Sequence, residues 1–404
     1  MQSVELFAGA GGLAMGATLA GFEHQAVIEW DQWACDTIRE NKDRGHQLVS
    51  EWPLFEGDVR SFNYAGLPDG IDLVAGGPPC QPFSIGGKHR AFDDERDMFP
   101  ASVDVVRRLR PRAFLFENVR GLARQTFANY LQYIKLQLTF PEVTRRKAET
   151  WIGHLGRLER YETRGKREGL WYRVVARLLN AANYGVPQKR ERIFIVGFRS
   201  DLGAEWSFHL ATHSADALLV DQYVTENYWE RHQVAKKHRP AIQEKMARRV
   251  AQLRSDDLFG TGEEDGRTLH PWRTVRDTIA DLPAPAKNST KLAVPNHRFQ
   301  PGARPYPGHT GSPLDEPAKT LKAGDHGVPG GENMLALPDG SVRYFSVRES
   351  ARLQTFPDDY VFHGSWTEAM RQLGNAVPVH LGRIVSESIA ERLRAHAQGV
   401  GVRN

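Results

Sequence analysis

The sequence predicts an α/β protein: a doubly wound parallel sheet covered by helices, joined to a second, smaller and loop-rich domain. Three observations predict it. From residue 1 to about 120, short apolar runs alternate with helical patterns, as in a sheet whose strands are threaded through covering helices. A glycine-rich turn, Phe7–Gly12, separates the first strand from the first helix. Beyond residue 200 the periodicity fades and Pro, Gly, His and Asn rise, most of all through 281–340.

Each element follows from its residues. Val4–Phe7 reads as a buried strand, and Leu13–Ala20 as a helix that Gly21 stops, since glycine accepts the left-handed conformation of a helix end. Ala26–Glu29 is the second strand, Trp33–Asn41 the second helix, and Ile71–Ala75 the next strand. Phe99, Val103 and Val106 share one helical face, Pro111 interrupts, and Ala113–Phe116 forms a further buried strand. A charged stretch from Thr126 to Glu168 breaks the rhythm and reads as an insertion, a solvated decoration in the first place and a DNA contact in the second. A helix at Trp171–Leu179 and a strand at Ile193–Phe198 resume it. Near the end, Leu381, Ile384, Val385, Ile389 and Leu393 mark an amphipathic helix able to pack back on the first domain.

Composition narrows the function classes. At 404 residues the chain exceeds one compact core and fits two domains, and its 40% hydrophobic and 25% charged residues are those of a soluble globular protein. No apolar run has the length of a membrane span, and no basic segment followed by an apolar stretch opens the chain, so no membrane and no secretion are expected and a cytoplasmic location follows. Cys35 and Cys80 are the only cysteines, which excludes a disulfide framework or a multi-cysteine zinc site; no metal is expected. A net charge of +4, with clusters at Arg145, Arg146 and Lys147 and at Arg231, Lys236, Lys237 and Arg239, favours a polyanionic partner, although solvated basic faces give the same pattern.

Four runs carry chemistry. The turn Phe7–Gly12 (FAGAGG) lets a ligand approach the backbone and the helix N-terminus; Glu29, ending the next strand, is placed to accept hydrogen bonds from ribose hydroxyls, with Trp30 able to cover an adenine. A tight turn beside a surface acid has the same look. Asp58, followed by Val59, is a second acid near a strand end, suited to an adenine amino group, though any exposed Asp has the same look. Gly76–Ser84 (GGPPCQPFS) sets Cys80 directly after a buried strand, in a turn stiffened by prolines, as a positioned nucleophile requires and a packed structural thiol does not. Glu117, in Phe116–Val119, puts a carboxylate at the end of the adjacent strand. Gln188–Arg192 (QKRER) leads into the last strand and offers Arg190 and Arg192 to the same edge, though a plain basic turn would read alike.

Taken in order, these runs resemble the C5-cytosine DNA methyltransferases, the family of bacterial modification enzymes and their eukaryotic relatives. The likeness extends to Arg348–Gln354 (RESARLQ), Phe356–Asp358 and Gln372–Pro378 (QLGNAVP). It implies a Rossmann-like sheet dependent on S-adenosyl-L-methionine, with S-adenosyl-L-homocysteine as product. Phe7, Gly9, Gly11, Gly12, Glu29, Trp30, Asp58, Val59, Pro79, Asn375 and Ala376 are expected around that cofactor. It makes Cys80 the nucleophile and Glu117 its partner, with Arg190 and Arg192 at the reacting base. Gln81, Ser84, Gly86, Lys88, Arg90, Arg96 and Gln188 are expected on DNA. The domain plan it implies is a catalytic domain over 1–199 with an insertion near 126–168, a target-recognition domain over 200–346, a hinge over 347–374, and a segment over 375–404 that returns to the catalytic domain. The partners expected are double-stranded DNA and a cognate restriction endonuclease, the location is on the bacterial nucleoid, and the chain is expected to be a monomer.

Three other readings are discriminated by the same residues. An RNA cytosine methyltransferase of this family would carry a Cys-Phe-Thr tripeptide, and neither Cys35 nor Cys80 is followed by Phe-Thr. An idle DNA-binding regulator is opposed by Cys80, Glu117 and Arg192 together. A nucleotide-binding oxidoreductase would rest on the glycine turn alone.

Overall fold

A computed structural model describes residues 1–79, 97–165, 167–203, 205–258, 268–287, 293–323 and 333–399. The chain divides into two compact units. The first comprises Met1–Leu179, Glu191–His209 and Leu381–Asn404; the second, Asn180–Arg190 and Leu210–His380.

Seven strands build the first unit: β1 (Gln2–Leu6), β2 (Glu23–Glu29), β3 (Leu54–Glu56), β4 (Leu73–Gly76), β5 (Ala113–Val119), β6 (Tyr172–Asn180) and β7 (Glu191–Arg199), in the order β3-β2-β1-β4-β5-β7-β6. The pairs from β3 to β5 are parallel, and β7 runs antiparallel to β5. Buried on both faces, β4 and β5 read as apolar runs, with Leu73, Val74 and Ala75 and then Ala113 to Phe116 all sealed, while β1 buries Ser3 and Glu5 along with Val4 and Leu6. The helices of this unit are α1 (Gly12–Leu19), α2 (Gln32–Asp43), α3 (Phe99–Leu109), α4 (Ala128–Thr139) and α5 (Trp151–Thr163). Gly21, at φ 90, ends α1 as expected, and the Asp31 carboxylate caps α2 by accepting the Ala34 N–H at 3.0 Å. The doubly wound α/β expectation is met.

The C-terminal helix, Val379–Ala397, belongs to this unit from Leu381 onward, and it buries Leu381, Val385, Ile389 and Leu393. It crosses α1 so closely that a Cβ on Gly16 would lie 2.5 Å from the Arg383 backbone nitrogen.

Two expectations are corrected here. Trp171–Leu179 is not a helix but most of β6, the edge strand. Its period is two: Tyr172, Val174 and Ala176 pack on the core while Arg173, Val175 and Arg177 face outward. The charged stretch 126–168 is not a solvated decoration throughout. Tyr130, Tyr133, Ile134, Leu136 and Leu138 of α4, and Leu155 and Leu158 of α5, lie in the main core with Phe99, Phe114 and Phe116.

The second unit is loop-rich. Its helices are α6 (Ala215–Tyr223), α7 (Asn227–Arg231), α8 (Glu244–Leu258), α9 (Val275–Ile279), α10 (Val347–Leu353) and α11 (Trp366–Asn375). Its strands are short: β8 (His213–Ser214) pairs with β9 (His270–Pro271), and β11 (Met334–Ala336) pairs with β10 (Ser312–Pro313) on one side and β12 (Val342–Tyr344) on the other. Loops leave backbone carbonyls without ladder partners, and buried side chains supply them. Arg348, fully buried, donates to the carbonyls of Pro295, Pro357 and Tyr360 at 3.2, 3.0 and 2.8 Å. Residues 347–374, the expected hinge, thus form α10 and most of α11 inside this unit, and 180–190, placed by sequence in the first domain, are also part of it.

Candidate active site

Neighbouring strands β1 and β4 send their chains in opposite directions along the sheet, β1 to β2 and β4 to β5, and such a reversal opens a crevice outside the carboxyl ends of the strands. The turn after β1 lines it. Phe7, Gly9 and Gly11 all take positive φ (54°, 53° and 88°), so the chain coils tightly into α1. A Cβ on Gly9 would meet no atom within 4 Å; the left-handed backbone selects glycine there, and the space above it is open. Among the described residues no side chain caps the N-terminus of α1.

Glu29 closes the other side of this turn. Its Oε2 accepts the Gly9 N–H at 2.7 Å, and its Oε1 accepts those of Trp30 and Asp31, each at 2.8 Å. A carboxylate has about four lone-pair sites, so Oε2 keeps one for a ligand hydroxyl. Burial pushes its carboxyl above the usual range, and the three N–H groups pull it back. The Trp30 indole is 73% exposed, a large apolar surface left in solvent at the mouth of the turn. The Gly57 N–H donates to the Glu29 carbonyl at 2.8 Å, which brings Asp58 to the same edge. Asp58 is gripped by Arg60, whose side-chain and backbone N–H groups hold its carboxyl below the usual range. Val59 is core, and Gly12 is the first residue of α1. An open backbone turn, an acceptor with one free lone pair and an exposed indole suit a nucleoside with a charged tail.

The turn after β4 is the second wall. A Cβ on Gly76 would strike the Leu6 carbonyl at 2.3 Å, so only glycine lets β4 approach β1 there. Asn118 donates to the Pro78 carbonyl at 2.8 Å, and Met98 N–H donates to the Pro79 carbonyl at 3.1 Å. The Pro-Pro approach to Cys80 is therefore held from β5 and from the start of α3. Cys80 itself, with Gln81, Ser84, Gly86, Lys88, Arg90 and Arg96, lies outside the described residues.

Strand pairing explains the charged pair beside this turn. Val119 lies opposite Arg192 and Glu117 opposite Phe194, so Glu117 and Arg192 are diagonal neighbours on one face of the sheet. Arg192 Nε is 2.9 Å from Glu117 Oε1, with the side chains only 12% and 9% exposed, and Glu117 Oε2 sits 3.4 Å from where a Cβ of Gly77 would stand. Burial lowers the Arg192 pKa while Glu117 raises it.

Other expected residues are elsewhere. Arg190 is wholly buried in the second unit, where its guanidinium donates to the carbonyls of Leu321 (3.2 Å) and Gly374 (2.8 Å); it braces backbone and is not offered to a base. Gln188, expected on DNA, is also fully buried: its Oε1 accepts the Leu321 N–H at 3.1 Å and its Nε2 points at Gln354 Oε1, 3.3 Å away. Asn375 ends α11 and is exposed, with Ala376 buried behind it. Sequence reasoning missed Arg60 and Asn118. The signal for Asn118 was its place beside Glu117; nothing distinguished Arg60 from any exposed arginine.

Comparison with known proteins identifies the family. The family model of the C-5 cytosine-specific DNA methylases matches residues 1–140 and 165–391. The Type II methyltransferase M.NgoMIV of Neisseria gonorrhoeae is 32% identical over 97% of this chain and 98% of its own, and M.PspPI of a Psychrobacter species 30% identical over 98% and 80%. Among solved structures, a DNMT2 mutant of Spodoptera frugiperda superposes with a TM-score of 0.53 at 15% identity, covering 98% of this chain and 99% of that one, a likeness of fold. The chain belongs to the C-5 cytosine-specific DNA methylases and is a DNA (cytosine-5-)-methyltransferase. The family match breaks over 141–164, which narrows the insertion to α5 and the loop before it.

Proposed function

We propose that this enzyme methylates C5 of a cytosine flipped out of a specific short DNA sequence, with S-adenosylmethionine as donor, as the modification enzyme paired with a restriction endonuclease in a bacterial cytoplasm. The observation that carries the reading is the shielded Glu117–Arg192 pair set against the Gly76–Pro79 turn that leads into Cys80. C5 of cytosine is a poor nucleophile, and a thiolate added at C6 makes the ring electron-rich. Cys80 supplies that thiolate. A free thiol has a pKa of about 8.5, and positive charge from Arg192 would favour its ionisation. Glu117, oriented by Arg192, accepts the N4 amino group and shares a proton at N3, which stabilises the C6 adduct. Bound S-adenosylmethionine supplies the electrophilic methyl group. Phe7–Gly12 and Glu29 hold its ribose and tail, Trp30 covers its adenine, and Asp58 faces the adenine amino group. Loss of the C5 proton to base then expels Cys80 and restores the aromatic ring. A stacked base is out of reach, so flipping costs a few kcal/mol, met by pocket and phosphate contacts. The test is bisulfite or nanopore sequencing of plasmid from cells expressing the chain. One sequence carrying 5-methylcytosine is expected, and none with Cys80→Ser; methylation by the serine variant would refute the assignment.

A further inference from the structure

We infer that Tyr130 is a positioning residue for the reaction, and that the inserted segment 141–164 holds it in place. The inference rests on Cys80 being the nucleophile. Tyr130 lies in α4, only 3% exposed, and its hydroxyl donates to the Asp97 carboxylate. Packing alone would be met by phenylalanine at such a site; the hydroxyl is there for the carboxylate. Asp97 Oδ1 in turn accepts the Phe99 N–H at 3.2 Å at the start of α3, and the adjoining Met98 N–H fixes the Pro79 carbonyl at 3.1 Å. Three hydrogen bonds thus connect the Tyr130 hydroxyl to the residue that precedes Cys80.

The inserted segment grips the other end. The Trp151 ring meets Tyr130 edge-on at 6.1 Å and lies tilted against Tyr133 at 5.7 Å. His154 Nε2 is 2.7 Å from the Val143 carbonyl, which can only accept, so Nε2 carries the proton and Nδ1 accepts the Tyr133 hydroxyl at 2.9 Å. Trp151, His154 and Val143 all come from residues that the family model leaves unmatched, so the brace on this turn lies outside the part that defines the family.

The test is Tyr130→Phe, which keeps the ring and removes the hydrogen bond. Duplex DNA carrying 5-fluorocytosine at the methylated site reports the single-turnover rate of adduct formation on Cys80. We expect kcat and the adduct rate to fall together by about tenfold, the scale of a small misplacement of a reacting group. KM for both substrates and the melting temperature should hardly change. Trp151→Leu should show the same kcat signature, and Tyr130→Phe should cost nothing further once Asp97 is Ala, which leaves the hydroxyl no carboxylate to meet. A wild-type adduct rate in Tyr130→Phe, or additive losses in the double variant, overturns this inference alone. An active wild-type enzyme that forms no adduct on Cys80 overturns it together with the nucleophile.

Discussion

The carboxylate of Glu29 serves three backbone N–H groups and keeps one lone pair, so its removal strikes the fold of the turn as well as the ligand. Glu29→Ala should weaken S-adenosylmethionine binding by about 1 to 3 kcal/mol and lower the melting temperature, whereas Asp58→Ala should weaken binding with little effect on stability. Calorimetry measures both, and unchanged affinity in the two variants would mean that the pocket has been misplaced. Glu5 makes a different prediction. It sits in β1, 1% exposed, its Oε2 without a partner among the described residues, and burial raises its pKa well above the ordinary value. A raised pKa contributes stability that is full below the ordinary carboxyl pKa and is lost as pH climbs toward the folded one. Stability of the wild type should therefore fall with rising pH above about 4.5 more steeply than that of Glu5→Gln; equal slopes in urea unfolding across pH would contradict this. Of the proposed site residues in the first unit, the Phe7–Gly12 turn and Pro79 follow strands and Glu29 ends one, which is what marked them as candidates in the sequence. Gln188 and Arg190 were not, since a basic turn looks the same whether its side chains meet phosphate or, as here, the carbonyls and amides of a loop-rich unit.

At the scale of elements, the contact between α1 and the C-terminal helix is made possible by Gly16. A Cβ there meets backbone atoms of Gly382 and Arg383, both at 2.5 Å, and helix backbone cannot step aside. Gly16→Ala should therefore destabilise the enzyme by about 1 to 3 kcal/mol. Gly156→Ala, in α5, whose Cβ would find only the mobile end of Arg160 at 3.7 Å, should stabilise by up to about 1 kcal/mol, the helix propensity of alanine. Denaturant unfolding compares them, and a neutral Gly16→Ala would refute the tight crossing. The element order was readable because β4 and β5 are apolar runs through Leu73–Ala75 and Ala113–Phe116 and the glycine-rich turn marks the end of β1. β6 was misread as a helix because an edge strand carrying Arg173 and Arg177 between apolar residues imitates amphipathic helical spacing over so short a run. α4 was misread because charged neighbours at 126–168 drowned its buried face in the composition of the stretch.

For the whole molecule, the proposed mechanism implies a division of labour: a flipped cytosine would need the same cysteine, carboxylate and cofactor in any sequence, so discrimination among neighbouring base pairs would have to come from side chains that reach a groove from elsewhere. Exchange of residues 200–346 for those of a relative with another target should transfer the methylated sequence, while shortening 141–164 should alter rate and not sequence. An active exchanged enzyme that keeps its original site would contradict this. The exchange must respect the interlock of Gln188 with Leu321 and of the Lys189 N–H with the Ala318 carbonyl, 2.8 Å apart, or the second unit will lose its own backbone partners. The central claim is the covalent bond, and the most direct measurement of it is mass spectrometry of the enzyme trapped on 5-fluorocytosine DNA in the presence of S-adenosylmethionine. Cys35 is a built-in control, because burial pushes its thiol up to about 12 and keeps it inert. The account predicts a single DNA adduct, on Cys80, that Cys80→Ser abolishes; an adduct on any other residue, or none from an enzyme that methylates DNA, would contradict it.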